Sequence, residues 1–249
     1  MSEITSYDSE QDPVTTEEAN DKMSLVDHLQ ELRQRLITAI IAVLIGSGIC
    51  YFYAAELVHL ITAPAGKLYY MNPAEAFFSQ LRVSFFVGFL LALPVVLYQA
   101  WAFIMPALSK KERTASIILV PTSVVLFFTG LAFSYYLVLP AGIKFFMGFA
   151  TDDLQPMLSL AEYLSFVISF LLPFGFIFEL PLVILVLAKV GIVNSAFLYN
   201  KRKHILVLSF VVGAIISPTP DVLSQTMVAV PIVVMYEVSA FIVKYILKK

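Results

Sequence analysis

The residues able to do chemistry are few and far apart along the chain. Glu179 stands in the uncharged run Phe176-Ile177-Phe178-Glu179-Leu180-Pro181, Glu112 lies among cations in Ser109-Lys110-Lys111-Glu112-Arg113, and Asp221 follows the turn Ser217-Pro218-Thr219-Pro220. Glu31 and Arg35 are four residues apart, the spacing at which opposite charges pair on a helix. A charge at bilayer depth costs from about 2.5 kcal/mol to more than 10. Glu179 must therefore be protonated, paired or turned toward a wet cavity. Pro181 helps by freeing the carbonyl of Ile177 and bending the helix there. Taken alone, Glu112 reads as a solvated loop charge and Asp221 as a helix cap after a Pro-rich turn. Glu237, near the end of the last apolar run, can snorkel to the surface.

Enzyme chemistry has no footing in these residues. The sequence contains no H-E-x-x-H, no G-x-S-x-G and no G-x-x-x-x-G-K-[ST], so metalloprotease, serine hydrolase and ATP-driven readings have no motif to rest on. His28, His59 and His204 sit in separate segments with no second metal ligand at helical spacing, and each reads as a surface or interface residue. One cysteine, Cys50, cannot build a disulfide framework or a Cys-based metal site. No catalytic residue, metal or cofactor is expected.

The elements that must position these groups follow from composition. Of 249 residues 59% are apolar and 14% charged, against roughly 45–50% and 25% in soluble domains, so the chain belongs in a membrane. Residues 1–22 are the exception: seven acids, one base and Pro13, with no periodic apolar pattern, read as a disordered acidic leader. It lacks the basic start and apolar core of a secretory signal. From Ser24, Leu25, Leu29, Leu32 and Leu36 fall on one helical face, and Ser24 with Asp27 forms a capping box. This amphipathic helix leads into a membrane domain over residues 23–249.

Uncharged runs place six spans at about 36–55, 77–108, 115–139, 161–188, 204–217 and 222–243, the fifth and sixth short. The fifth reaches only about 20 Å at 1.5 Å per residue. An even number of spans puts both termini on one side. Thirteen Lys and Arg then fall on that side and only Lys67, Arg82 and Lys144 on the other, which predicts cytoplasmic termini.

Several segments, in order, resemble the TatC family, the multispanning subunit of the twin-arginine protein translocase. They are His28-Leu29-Gln30-Glu31-Leu32-Arg33-Gln34-Arg35, Ala63-Pro64, Leu97-Tyr98-Gln99-Ala100-Trp101-Ala102-Phe103-Ile104-Met105-Pro106-Ala107-Leu108 with Glu112, Tyr163-Leu164-Ser165-Phe166, Phe178-Glu179-Leu180-Pro181, Lys201-Arg202-Lys203 and Pro220-Asp221-Val222-Leu223-Ser224-Gln225. The similarity runs from about Ser24 to the C-terminus; residues 1–22 have no counterpart in it.

The resemblance implies an all-α protein of the bacterial cytoplasmic membrane, with six helices in a curved, glove-like arrangement. It implies a receptor for folded cargo proteins whose signal peptides carry two consecutive arginines. Glu112 and Glu31 would accept the guanidinium groups, which a carboxylate binds bidentately and which Lys cannot imitate. Phe103 would pack on a guanidinium or on the apolar flank of the signal. Glu179 would offer a polar point on the concave face to a single-span TatA- or TatB-type partner, and Gln225 would join that contact. Pro64 and Asp221 take structural or periplasmic capping roles. Export would draw on the proton gradient within an oligomeric complex in the lipid bilayer, with no nucleic-acid partner. The competing reading is a proton-coupled small-solute transporter, which six spans, broken helices and a midplane Glu179 would also serve. No inverted repeat is visible in its favour.

Overall fold

The computed structural model describes residues 14–104, 116–151, 157–217, 219 and 221–245, with side chains described from His28 onward except at 116 and 117. Every long element is helical. In chain order they are α1 (Val14–Tyr51), α2 (Ala54–Thr62), a 3-10 turn (Ala63–Ala65), α3 (Pro73–Ile104), α4 (Ser116–Phe133), a π turn (Ser134–Val138), α5 (Leu139–Met147), α6 (Leu160–Val190), α7 (Ser195–Ile216) and α8 (Val222–Tyr245). Among the described residues, five segments are long and apolar enough to cross a membrane: His28–Tyr51, Pro73–Ile104, Ile118–Met147, Leu160–Val190 and Val222–Tyr245.

The third of these is a single rod made of α4, the π turn and α5. Pro140 has no N–H to offer the preceding turn, and the backbone accommodates that loss by widening over Ser134–Val138. Helix α6 ends at Gly191, whose φ of 87° is open to glycine at no steric cost. The N–H groups of Gly191 and Ile192 close the helix on the carbonyls of Ala188 and Leu187.

Helix α6 is the organising element, with α3, α4 and α8 packed around it. Phe127 of α4 and Phe170 and Phe174 of α6 are essentially inaccessible. Lipid supplies no hydrophobic drive between helices, so close packing has to hold them together. Helices α1 and α3 cross at Gly46 and Gly88, where a Cβ on Gly46 would lie 2.6 Å from the Gly88 carbonyl oxygen. The outer face of α1, including Leu36, Ile40, Leu44 and Ile45, is exposed to the surroundings.

Three sequence expectations change. The reading of residues 1–22 as a disordered leader fails for its second part, because α1 already begins at Val14. Glu17, Glu18 and Ala19 are good helix formers, and acids suit the positive end of a helix dipole, local terms that composition overlooks. Residues 1–13 lie outside the described residues.

The Lys201-Arg202-Lys203-His204 cluster lies inside α7, not in a loop ahead of a span at 204–217. Asn194 caps that helix, its Oδ1 accepting from the Phe197 N–H at 2.7 Å, and Lys and Arg extend a helix readily. The apolar stretch from Ile205 to Ile216 still covers only about 18 Å.

The sixth span is not short. Helix α8 has 24 residues, about 36 Å of helix. Its charges do not end it, because Glu237 pairs with Arg202 of α7 and Lys244 lies 5.1 Å from the Tyr199 ring centre.

Candidate functional site

Two polar constellations meet on the last turns of α3. The first joins α3 to the start of the membrane-crossing part of α1. Arg35 donates from Nε and Nη2 to a single carboxylate oxygen, Glu31 Oε1, at 3.0 and 2.5 Å, and from Nη1 to Gln99 Oε1 at 3.3 Å. One turn further along α3, Phe103 stacks on His28 of α1 with ring centres 4.3 Å apart. Glu31 and Phe103 therefore share one face, brought there by the helical spacing of residues 28, 31 and 35 on one helix and 99 and 103 on the other.

The Glu31 and Arg35 side chains are 35% and 26% exposed, so the face is open to a ligand. Both hydrogen bonds from Arg35 to Glu31 go to Oε1, and the third goes to Gln99. Glu112, the second carboxylate expected here, lies outside the described residues, as do Lys110, Lys111 and Arg113.

The second constellation is buried. The Trp101 indole N–H donates to Ser123 Oγ at 2.6 Å, and Ser123 Oγ donates to Glu179 Oε2 at 2.8 Å. All three side chains are inaccessible or nearly so, and the chain of bonds ties α3 to α4 and α4 to α6. Glu179 Oε1 is buried with no hydrogen-bond partner. Glu179, the carboxylate expected to meet a partner helix, packs against α4, where Ser123 donates to its Oε2.

The remaining expected residues sit elsewhere. Asp221 caps α8: Oδ1 accepts from the Ser224 N–H at 2.8 Å and Oδ2 from the Thr219 hydroxyl at 2.5 Å. Partial burial alone would raise the Asp221 carboxyl, but the hydrogen bonds from Thr219, Ser224 and Leu223 outweigh it and hold the group below its ordinary value. Gln225, one turn into α8, lies where α7 and α8 touch, with its carbonyl 2.8 Å from where a Cβ on Gly213 would sit. Pro64 is exposed in the 3-10 turn after α2. Among the described residues no hydrogen bond joins Glu179 to Gln225.

Sequence reasoning missed three groups. Trp101 is the only tryptophan, and a buried indole N–H needs a partner, a signal that pointed to Ser123 or its equivalent. Glu75 was not singled out at all, yet it clasps α3 to the start of α6. Its Oε1 accepts from Ser159 Oγ at 2.5 Å and from the Ala161 N–H at 2.9 Å, and its Oε2 from the Met71 N–H at 2.6 Å. Beside it Tyr69 and Ser159 form a lone parallel bridge, and Arg82 donates to Ser165 Oγ and to the Ala161 carbonyl.

Comparison with known proteins decides the family. The model of the Sec-independent protein translocase protein family TatC matches residues 27–231. The chain belongs to the TatC family. It is 42% identical over 235 residues to the TatC protein of Aquifex aeolicus, covering 91% of this chain and 97% of that one. The TatC protein of Carboxydothermus hydrogenoformans is 38% identical over 231 residues, 91% and 95% of the two chains.

A crystal structure of the twin-arginine translocase receptor TatC superposes with a TM-score of 0.78 at 42% identity, over 87% of this chain and 98% of that one. A second, described as in DDM, gives 0.77. The fold is thus the curved, all-helical TatC bundle of a multi-pass bacterial inner-membrane protein, a translocase component and not an enzyme. The solute-transporter reading has no support.

Proposed function

We propose that this TatC-family chain is the signal receptor of a twin-arginine translocase, and that the face built by Glu31, Arg35, Gln99, His28 and Phe103 is where it takes the signal. The observation that carries this is the Glu31–Arg35 contact. A carboxylate that already holds one guanidinium through two N–H donors has the geometry to exchange it for, or share it with, an arginine of the signal. Stacked His28 and Phe103 give that arginine, or the apolar residues after it, a flat surface. Glu112, on the chain that follows α3, supplies the second carboxylate.

In this reading six helices cross the membrane, α7 being the sixth crossing segment beside the five long apolar ones. Both termini are cytoplasmic, and the 13 to 3 bias of basic residues supports that orientation. The signal face is then cytoplasmic. TatA- and TatB-type single-span proteins join the complex within the bilayer near Glu179 and Gln225. A polar contact there contributes about 0.6–2 kcal/mol, enough to orient a helix, while the proton gradient drives export.

The test is export of a folded reporter bearing a twin-arginine signal in a strain lacking its own TatC. Expression of this chain restores export, and Glu31→Lys or Glu112→Lys abolishes it while general secretion continues. Restored export that is indifferent to both substitutions would remove the receptor face from the account.

A further inference from the structure

A polar hollow of about 590 Å³ opens at the end of the bundle opposite the signal face, between the first turns of α3 and the start of α6. Glu75, Ser79 and Arg82 of α3 and Glu162 of α6 line it, with Phe78 and Met157 exposed at its rim. Two observations give its depth. Arg82 stands 17 residues before Gln99 on the same helix, about 26 Å of helix, close to the roughly 30 Å thickness of the hydrocarbon core. Tyr69, which bridges to Ser159 beside the hollow, and Tyr70 are both exposed, and tyrosines collect where hydrocarbon meets headgroups. The hollow therefore lies in the headgroup layer of the leaflet opposite the signal face.

The protein does not saturate the polar groups of this hollow. Arg82 engages only Nη1, which donates to the Ala161 carbonyl at 3.1 Å and to Ser165 Oγ; among the described residues its Nε and Nη2 have no acceptor. Ser159 and Glu162 have the spacing of a capping box, and Ser159 Oγ accepts from the Glu162 N–H at 3.5 Å. The return bond is missing: among the described residues the exposed Glu162 carboxylate takes no hydrogen bond and pairs with no cation. Ser79 is 2% exposed and its hydroxyl has no partner, whereas Ser84 and Ser165 return theirs to the carbonyl four residues back. Glu75 is the exception, its two oxygens already accepting three donors.

We infer that this hollow binds the headgroup of a zwitterionic phospholipid with a primary amine, phosphatidylethanolamine, its phosphate on Arg82 and its ammonium on Glu162. The free Nε–H and Nη2–H of Arg82 form the fork that matches two phosphate oxygens. Glu162 supplies only acceptors and an ammonium only donors, so the two complement each other, while a quaternary choline offers no N–H. Charge excludes a purely anionic headgroup. The hollow carries two acids, Glu75 and Glu162, against one base, Arg82, so a phosphate is welcome there only when it brings its own cation. Phe78 and Met157 at the rim meet the upper part of the acyl chains. A lipid so held links α3 to α6 beside the Glu75 clasp, and this assignment does not depend on the receptor reading.

Native mass spectrometry of the full chain in detergent, supplied with phosphatidylethanolamine, phosphatidylcholine or phosphatidylglycerol of identical acyl chains, tests this. Retained phosphatidylethanolamine should exceed each of the others by about threefold, the order of one partly exposed ion pair. Glu162→Gln, a change at an exposed side chain, should lower phosphatidylethanolamine to the phosphatidylcholine level and leave phosphatidylcholine unchanged. Arg82→Gln should lower both. Equal retention of phosphatidylethanolamine and phosphatidylcholine by the unaltered chain overturns the proposal without recourse to any variant. A preference for phosphatidylglycerol, or a preference for phosphatidylethanolamine that survives Glu162→Gln, overturns it too. So does a cysteine at position 157, in a Cys50→Ser background, that crosslinks to a partner protein in the assembled complex and is not shielded by added phosphatidylethanolamine.

Discussion

Ser123 on α4 donates to Glu179 on α6 across 2.8 Å, and the same hydroxyl accepts the Trp101 indole N–H from α3 at 2.6 Å. One serine thus serves as donor and acceptor at once and fixes three helices around an acid that the bilayer would otherwise penalise. Ser123→Ala leaves both neighbours buried without their partner and should cost about 1–3 kcal/mol of stability. Trp101, the only tryptophan, reports on the site directly. Its emission maximum should shift in Ser123→Ala, and an unshifted maximum with unchanged thermal stability would mean that the three-helix chain carries no weight.

A second prediction concerns the crossing of α7 and α8. A Cβ on Gly213 would meet the Gln225 carbonyl oxygen at 2.8 Å, and backbone cannot yield as a side chain can. Gly213→Val should therefore push the two helices apart, lowering the melting temperature in detergent and weakening whatever contact Gln225 makes. Wild-type stability and export in that variant would contradict the close crossing.

How much of this was legible beforehand follows from what each feature depends on. Spans within α1, α3, the α4–α5 rod, α6 and α8 could be read because long uncharged runs are a property of the chain alone. The helical start at Val14 escaped notice because acidic composition without an apolar period was read as disorder, and the extension of α7 back to Ser195 because charge was taken to end a membrane helix. Glu237, the partner of Arg202, lies 35 residues away and outside the local sequence. At the site, Glu31 with Arg35 was visible as an i,i+4 pair. The return of Arg35 to Gln99, and the stacking of His28 on Phe103, depend on how α1 and α3 pack, as does the inward turn of Glu179. Glu75 was not singled out, because its clasp appears only when the segment around Ser159 folds back against it.

The cap on α8 makes stability depend on pH. Hydrogen bonds hold the Asp221 carboxyl below its ordinary value, so its contribution is complete above the unfolded-state value and is lost as the pH falls through the folded one. Thermal melts of the purified protein should show stability declining as the pH drops through and below the ordinary carboxylate range, and Asp221→Ala should flatten that decline while lowering stability at neutral pH. Parallel curves for the two proteins would show that the cap is not the titrating element.

The clasp made by Glu75 ties α3 to α6 at the end opposite the signal face. Glu75→Gln keeps one acceptor oxygen and replaces the other by an NH2 donor, whereas Glu75→Ala loses all three bonds from Ser159, Ala161 and Met71. Melting temperature should fall in the order wild type, Gln, Ala. A protease cutting near Tyr69 should act faster in the same order; equal rates in all three would dissolve the clasp.

The most direct test of the receptor reading is site-specific photo-crosslinking in membranes containing the full chain. A photoreactive residue placed at Phe103, and separately at Glu31, is offered a signal peptide with two arginines and the same peptide with two lysines. The account predicts adducts from both positions with the arginine peptide and a large loss of them with the lysine peptide, because a carboxylate pairs bidentately with a guanidinium and not with an ammonium. Equal crosslinking of the two peptides, or none from either position while export proceeds, would contradict it.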